Sequence, residues 1–132
     1  MKKEWKIIFY EDEKGCPVKD FINELNEKKQ KKIIALIKYL NKIGIELKRP
    51  YCDTLKDGIH ELRFDNTRTL YFFCFENYII LTHSFVKKTQ KIPEKEMKKA
   101  LEYKENFLKK HCKENIEKLK LWEQVISPSQ IT

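Results

Sequence analysis

Two adjacent segments in the first third of the chain space their hydrophobic residues as one face of a helix does, at positions i, i+3, i+4 and i+7. The first set is Val18, Phe21, Ile22 and Leu25, and the second set is Ile33, Leu36, Ile37 and Leu40. Pro17 suits a first helical turn, where its missing N–H leaves no hydrogen bond unmade, and Gly44 is a natural helix end. The pattern predicts a helical hairpin whose apolar faces need a sheet to cover.

Four further segments carry the short apolar runs that are typical of strands. The first, WKIIFYED, precedes the hairpin, and IHELRF, RTLYFFCF and YIILTHSFVK follow it in quick succession. The polar pairs Asp65-Asn66 and Glu76-Asn77 separate the last three runs, and connections this short force antiparallel hairpins. The intervening segment ELKRPYCDTLKDG is predicted to be a loop, with turn residues at Asp57-Gly58.

The chain after Pro93 is predicted to be helical, because it holds no glycine or proline before Pro128. One helical face is marked by Met97, Ala100, Leu101 and Leu108, and the spacing continues through Ile116, Leu119, Trp122 and Ile126. This spacing fits one long helix or two, and the closing segment SPSQIT is expected to fray.

The predicted order of elements is β-α-α-β-β-β-α, which places the chain in the α+β class. We expect a small, mainly antiparallel sheet with the helical hairpin on one face, followed by a C-terminal helix. With 132 residues, the chain is long enough for one hydrophobic core but not for two. We assign residues 1–111 to that domain and residues 112–132 to a C-terminal helical extension with a frayed tail.

The charge balance narrows the range of partners. The net charge of +8 favours a polyanion, either nucleic acid or an anionic membrane surface. No apolar stretch approaches the ~20 residues of a membrane span, so a cytoplasmic location is expected. The four cysteines form no C-x-x-C pair, and the chain has no glycine-rich phosphate loop. Neither a metal nor a small-molecule cofactor is therefore expected.

Cations crowd the region where the last predicted strand ends. Strict alternation along that strand would put His83, Phe85 and Lys87 on the face that also carries Ile79 and Leu81. This face would begin apolar and end in a histidine, an aromatic ring and a cation.

Two arginines flank the preceding hairpin turn. Arg63 lies near the end of one strand and Arg68 begins the next. Pairing of these strands would bring both arginines to the end of the sheet where Lys87 and Lys88 lie.

These side chains together have the chemistry of RNA recognition and cleavage. Cations bind phosphates, the ring of Phe85 offers a surface for an unpaired base, and His83 has an unperturbed pKa near 6.5. Cleavage requires deprotonation of a 2′-OH, stabilisation of charge on the phosphorane and protonation of the leaving 5′ oxygen. The spacing alone equally fits a solvated basic surface above a core that contains Phe85 and a structural His83.

A longer motif spans the same region. The chain reads ELR in one strand, R-x-L at the start of the next, and H-x-F-x-K-K-T-x-K-x-P before a helix that contains alanine and tyrosine. In these features it resembles the RelE/HigB superfamily of toxins from type II toxin–antitoxin pairs, and most of all the phage-related HigB-type branch. The likeness extends through PVKDFINEL and covers about residues 5–110.

The resemblance implies a RelE-like fold and a ribosome-dependent endoribonuclease, an mRNA interferase that cleaves translated mRNA and arrests growth. The implied partners are the 70S ribosome, mRNA and a helix-turn-helix antitoxin of the HigA type encoded in the same operon. By position, Arg63, Arg68 and Lys87 match the catalytic basic residues of the family. The residues that match the rest of the motif, and are assigned to RNA binding, are His83, Phe85, Lys88, Thr89 and Lys91.

Two other classes of function stay open on the sequence. A ParE-type toxin shares this fold but inhibits DNA gyrase without cleaving RNA, and a basic RNA-binding module would have no chemistry. The run from Lys87 to Lys91, KKTQK, favours the HigB branch over ParE. It does not separate an active nuclease from a non-catalytic one.

Overall fold

The computed structural model of this chain describes residues 3–126. The strands are β1 (Lys6–Phe9), β2 (Cys52–Thr54), β3 (His60–Phe64), β4 (Thr67–Cys74) and β5 (Tyr78–Val86). The helices are α1 (Pro17–Glu24), α2 (Glu27–Ile43), α3 (Glu94–Lys110) and α4 (Trp122–Val125), with single 3₁₀ turns at Gly44–Glu46 and Ile116–Lys118. The segment SPSQIT, which the sequence predicts to fray, lies outside the described residues.

Within residues 3–126, the five strands form one sheet in the order β1-β5-β4-β3-β2. β3, β4 and β5 follow one another as antiparallel hairpins, and β2 pairs antiparallel with β3. β1 lies at the opposite edge and runs parallel to β5. The predicted α+β class with a mainly antiparallel sheet is confirmed.

The sequence-based prediction missed the short strand β2. This strand lies inside the segment that was predicted to be a loop, and it pairs Cys52 with Leu62 and Thr54 with His60. A run of three residues centred on Asp53 has no periodicity that would distinguish a strand from a loop. β2 nevertheless matters for the site, because it carries Asp53 to the edge of β3 opposite Glu61.

Helices cover both faces of the sheet. The α1–α2 hairpin packs on one face, as the sequence predicts, and α3 packs on the other. The hairpin side is filled by Val18, Ile22, Ile33, Ile37, Leu40, Leu62, Ile79 and Leu81. The α3 side is filled by Ile8, Leu70, Phe72, Ile80, Phe85, Met97, Ala100 and Phe107. Each fully buried aliphatic or aromatic side chain contributes about 1.5–3 kcal/mol, so the two clusters hold the sheet rigidly between the helices.

The C-terminal part of the described chain contains two separate helices. In α3, Phe107 is buried whereas Leu108, which the spacing placed on the buried face, is exposed. Trp122 of α4 packs in the cluster on the hairpin side, and its indole N–H donates to Oδ1 of Asn41 at 2.7 Å. The tail therefore contributes to the main core. None of the helices within residues 3–126 is long and apolar enough to cross a membrane.

A β-bulge in β5 changes which side chains share a face. Leu70 and Tyr71 are consecutive on β4, but their partners on β5 are His83 and Leu81. Thr82 is therefore an extra residue without a partner on β4, and it reverses the alternation of side chains from that point onward.

The prediction that His83 and Phe85 share a face with Ile79 and Leu81 is wrong for this reason. Ile79 and Leu81 contact the hairpin side of the core. Beyond the bulge, Phe85 belongs to the cluster on the α3 side, and His83 contacts α3 through Glu96.

Candidate functional site

The turn between β3 and β4 is joined to the end of β5. Asp65 closes this turn in a left-handed conformation with φ of +51°. The backbone N–H of Lys87 donates to the carbonyl oxygen of Asn66 at 2.7 Å. This bond continues the pairing of β4 with β5 and brings Arg68, near the start of β4, close to the lysines that follow β5.

These segments border an open cleft of about 570 Å³, which we call the lysine cleft. It is lined by Asp65, Asn66, Arg68, Lys87, Lys88, Thr89 and Gln90. Among the described residues, neither Lys87 nor Lys88 forms an ion pair. Two ammonium groups without a carboxylate partner thus lie beside the guanidinium of Arg68, an arrangement that suits the binding of a phosphate.

Carboxylates hold the arginines at the same end of the sheet. Glu61 is 1% exposed, and its Oε1 accepts a hydrogen bond from Nε of Arg63 at 2.8 Å. Arg63 also donates to Oδ2 of Asp53 at 3.3 Å, and Arg49 donates to the same oxygen at 2.9 Å. The hydrogen bond from Arg49 lowers the pKa of Asp53 below its usual value. We call Asp53, Glu61, Arg63 and Arg68 the Arg–carboxylate cluster.

Arg68 belongs to both the cluster and the lysine cleft. Its Nη1 donates to the carbonyl oxygens of Asp65 at 2.8 Å and Thr67 at 3.0 Å. Its Nε lies 3.8 Å from Oε2 of Glu61, and these two buried atoms have no hydrogen-bond partner within residues 3–126. Since the side chain is only 13% exposed and is tied to two carbonyl groups, Arg68 is held in one orientation at the edge of the cleft.

His83 is buried between the sheet and α3. Its Nε2 lies 3.3 Å from Oε1 of Glu96, and its Nδ1 lies 3.1 Å from Oγ1 of Thr82. Burial lowers the pKa of His83 below its usual value, a shift that Glu96 opposes and Lys99 reinforces. The imidazole is therefore neutral near pH 7, and its polar contacts lie within the core.

The residues predicted for the site fall into four places. The lysine cleft is lined by Arg68, Lys87, Lys88 and Thr89. Arg63 lies in the Arg–carboxylate cluster, and Lys91 lies exposed beyond the cleft, where its carbonyl accepts a hydrogen bond from Oγ1 of Thr89 at 2.7 Å. His83 and Phe85 lie in the core at 3% and 8% exposure. In this conformation neither ring has the open face that stacking on a base requires.

Residues 20–105 match the model of the family described as Phage derived protein Gp49-like (DUF891). The chain belongs to this family. The matched range runs from within α1 into α3 and includes every residue that lines the lysine cleft. The Gp49-like family is associated with toxins of toxin–antitoxin pairs, so its membership is compatible with a toxin role. No curated protein matches the chain.

Three polar residues that line the lysine cleft of this Gp49-like chain escaped the sequence-based prediction. They are Asp65, Asn66 and Gln90. The pair Asp65-Asn66 indicates only a turn, because such residues are common in hairpins. Asp65 is nevertheless exposed and is the one carboxylate among the seven lining residues. A signal was present in its position between two arginines, three residues before Arg68.

A second cleft, of about 610 Å³, adjoins the same turn, and we call it the tyrosine groove. Its lining includes Lys32, Leu36, Tyr39, Tyr51, Arg63 and Phe64, together with Asp65 and Arg68. Because Asp65 and Arg68 line both clefts, the tyrosine groove and the lysine cleft meet at the turn between β3 and β4.

Proposed function

We propose that this Gp49-like chain is the toxin of a type II toxin–antitoxin pair of the RelE/HigB type and acts as a ribosome-dependent endoribonuclease on translated mRNA. The observation that carries the proposal is the lysine cleft, where Lys87 and Lys88 lie beside an Arg68 that is fixed in orientation. A cationic site with a preorganised donor suits the phosphate of an RNA backbone. The net charge of +8 and the association of the family with toxins support the same conclusion.

In the proposed reaction, the phosphate at the scissile bond occupies the lysine cleft. The carboxylate of Asp65 accepts the proton of the 2′-OH, and the 2′ oxygen then attacks the phosphorus. Arg68 and Lys87 stabilise the negative charge that develops on the phosphorane. The ammonium group of Lys87 gives a proton to the leaving 5′ oxygen, so the products are a 2′,3′-cyclic phosphate and a 5′-hydroxyl end.

The fixed orientation of Arg68 supports its assignment to the transition state. Nη1 is occupied by the carbonyl oxygens of Asp65 and Thr67, and within the described residues Nη2 makes no hydrogen bond. A donor that is already oriented needs little rearrangement as charge develops, and this is the source of most electrostatic catalysis.

The proposed partners follow from the exposed cations. We expect the 70S ribosome and its mRNA to attract the lysine cleft, since both are polyanions. The proposed antitoxin is a helix-turn-helix protein of the HigA type from the same operon. An acidic or amphipathic segment of that antitoxin would cover the cleft, or the complex would be too bulky for the ribosomal site.

Expression of this chain alone in a bacterium tests the proposed function. Growth and protein synthesis should stop, mRNA on ribosomes should be cut, and naked mRNA should be cut poorly. Mapping of the RNA ends, with chemical identification of the cyclic phosphate, measures the reaction directly. Intact mRNA together with inhibited gyrase would indicate the ParE-type function, and tight RNA binding with neither effect would indicate a non-catalytic module.

Co-expression with the neighbouring helix-turn-helix gene tests the proposed partner. Growth and intact mRNA should both return when the antitoxin is present in excess. Toxicity that persists with a soluble, expressed candidate would count against it as the antitoxin.

A further inference from the structure

Two exposed tyrosines lie beside the proposed cleavage site. Tyr39 of α2 and Tyr51, which directly precedes β2, are 43% and 46% exposed. Their ring centroids lie 5.6 Å apart with the ring planes at 84°. Two of the five large hydrophobic side chains that are exposed within residues 3–126 therefore meet in the tyrosine groove. Rings that contact edge to face and remain open to solvent leave an aromatic surface for a further planar group.

Regular secondary structure builds this groove. Lys32, Leu36 and Tyr39 follow at i, i+4 and i+7, so they share one face of α2. The carbonyl oxygen of Tyr51 accepts a hydrogen bond from the backbone N–H of Arg63 at 2.7 Å, which holds Tyr51 against the end of β3. Tyr39 is therefore presented by a helix that packs in the core, and Tyr51 by a segment that is hydrogen-bonded to the end of β3.

The charges around the groove indicate a ligand that carries both a planar apolar ring and negative charge. Lys32, Arg63 and Arg68 border the groove, whereas Asp65 is the one carboxylate in its lining. Leu36 contributes apolar surface to the groove. A nucleotide of a single strand combines a base that stacks on aromatic rings with a phosphate that pairs with Arg or Lys.

We infer that the tyrosine groove is a subsite for an unpaired base of single-stranded RNA, next to the phosphate in the lysine cleft. The shared lining residues Asp65 and Arg68 allow one RNA strand to pass from one cleft to the other across the turn. The volume of about 610 Å³ is in the range of sites for ligands of nucleotide size. The inference rests on the proposed function and adds to it a site that orients the substrate. An apolar protein segment fits less well, because the cationic residues Lys32, Arg63 and Arg68 line the groove.

The test measures binding of a single-stranded RNA oligonucleotide with 2′-O-methyl groups, which lack the nucleophile and are not cleaved. Tyr39→Leu and Tyr51→Leu keep an apolar side chain but remove the ring, and Tyr39→Phe and Tyr51→Phe are the matched controls that keep it. Loss of a stacked base should weaken binding by the leucine variants roughly 5- to 150-fold, while the phenylalanine variants should bind as the wild type does. In a further series of oligonucleotides, each nucleotide in turn is replaced by an abasic one. When the abasic position is the stacked nucleotide, the wild type and the leucine variants should bind with equal affinity.

Equal RNA affinity of the wild type and both leucine variants, with unchanged thermal unfolding, would overturn the subsite. Leucine variants that keep RNA affinity but no longer bind the antitoxin would also overturn it, since the groove would then be a protein-docking surface. Cleavage of translated mRNA is measured separately on the same proteins. If the wild type cleaves mRNA and the leucine variants bind RNA as tightly as the wild type, the subsite is rejected but the proposed function is retained. Ring-dependent RNA binding without any cleavage keeps the subsite and rejects the nuclease.

Discussion

Two groups of charged side chains lie at the same end of the sheet, and they are built differently. In the Arg–carboxylate cluster, Glu61 is buried. Its Oε1 lies 2.8 Å from Nε of Arg63, and its Oε2 lies 3.8 Å from Nε of Arg68. In the lysine cleft, Lys87 and Lys88 have no ion-pair partner in the part of the chain that the structure describes. Arg68 is the residue that belongs to both groups.

The difference shows how one small fold combines ordered donors with available charge. A buried carboxylate orients an arginine but also neutralises part of its charge. An exposed lysine keeps its charge, but its flexible side chain is not oriented. Arg68 is oriented by the backbone carbonyl groups of Asp65 and Thr67 and lines the open cleft, which is why we place the reacting phosphate next to it.

The largest effect on activity is expected for Asp65, the one carboxylate that lines the lysine cleft. Asp65→Asn keeps the turn, because asparagine also tolerates a positive φ, but it removes the proposed proton acceptor. The single-turnover cleavage rate on programmed ribosomes should fall on the order of 100- to 10,000-fold, with little change in ribosome affinity. A rate close to that of the wild type would show that another group accepts the proton.

Removal of one cation from each side of the comparison should cost slightly less activity. Arg68→Ala and Lys87→Ala should each reduce the single-turnover rate roughly 100- to 1000-fold, or about 3–4 kcal/mol, because each removes a donor to the phosphorane. Lys87→Ala should leave the free energy of unfolding within about 0.5 kcal/mol of the wild type, whereas Arg68→Ala should also lower it. Denaturant unfolding separates the two variants.

Lys120→Ala is the matched control for these variants, since Lys120 is exposed and lines a different cleft. It should change neither the rate nor the unfolding. If Arg68→Ala and Lys87→Ala bind ribosomes less tightly but cleave at the wild-type rate once saturated, both are phosphate anchors and the catalytic assignment is wrong.

Removal of the buried carboxylate of the Arg–carboxylate cluster should reduce the free energy of unfolding. Glu61→Gln leaves Arg63 and Arg68 without their shared carboxylate, and loss of one partner from a buried ion pair costs roughly 3–5 kcal/mol. We expect about 3 kcal/mol by urea unfolding, the lower end, because Arg63 is partly exposed. Glu27→Gln, which removes an exposed partner of Lys31, should change stability by less than about 0.5 kcal/mol. Equal effects of the two changes would mean that burial adds nothing to the cluster.

The smallest effect is expected for His83, which is buried between the sheet and α3, and it concerns the pH dependence of stability. Burial lowers the pKa of His83 in the folded state, whereas the unfolded chain binds the proton at a pKa near 6.5. Neutral His83 therefore makes its full contribution to the free energy of unfolding above about pH 6.5. This contribution is lost as the pH falls toward the pKa of the folded state, with a slope of at most about 1.4 kcal/mol per pH unit. Between pH 7 and pH 4.5, the free energy of unfolding measured in urea should fall more steeply for the wild type than for His83→Gln. Parallel curves would contradict the prediction.

Part of the site was predictable because it depends on local spacing. A two-residue connection leaves Arg63 and Arg68 no arrangement other than cross-strand neighbours, and the structure pairs them. The strand that ends at Val86 likewise delivers Lys87 and Lys88 to the same end of the sheet. The helical hairpin, the β3–β5 meander and α3 follow from periodicity for the same reason.

The positions of His83 and Phe85 were not predictable, because strict alternation cannot anticipate an inserted residue. The bulge at Thr82 turns both side chains toward α3, where packing of the helix determines their burial. The pairing of Glu61 with Asp53 was not predictable either, because β2 is too short to be detected from the sequence.

The sequence by itself determined the α+β class, the order of the main elements and the cationic end of the sheet. Periodicity and short connections carry that information within a few residues of each position. Only the tertiary structure decided which cations remain unpaired, which arginines are held by carboxylates, and that Tyr39 and Tyr51 meet in one groove. These features depend on the register of distant segments against one another, and no local pattern of hydrophobic and polar residues records that register.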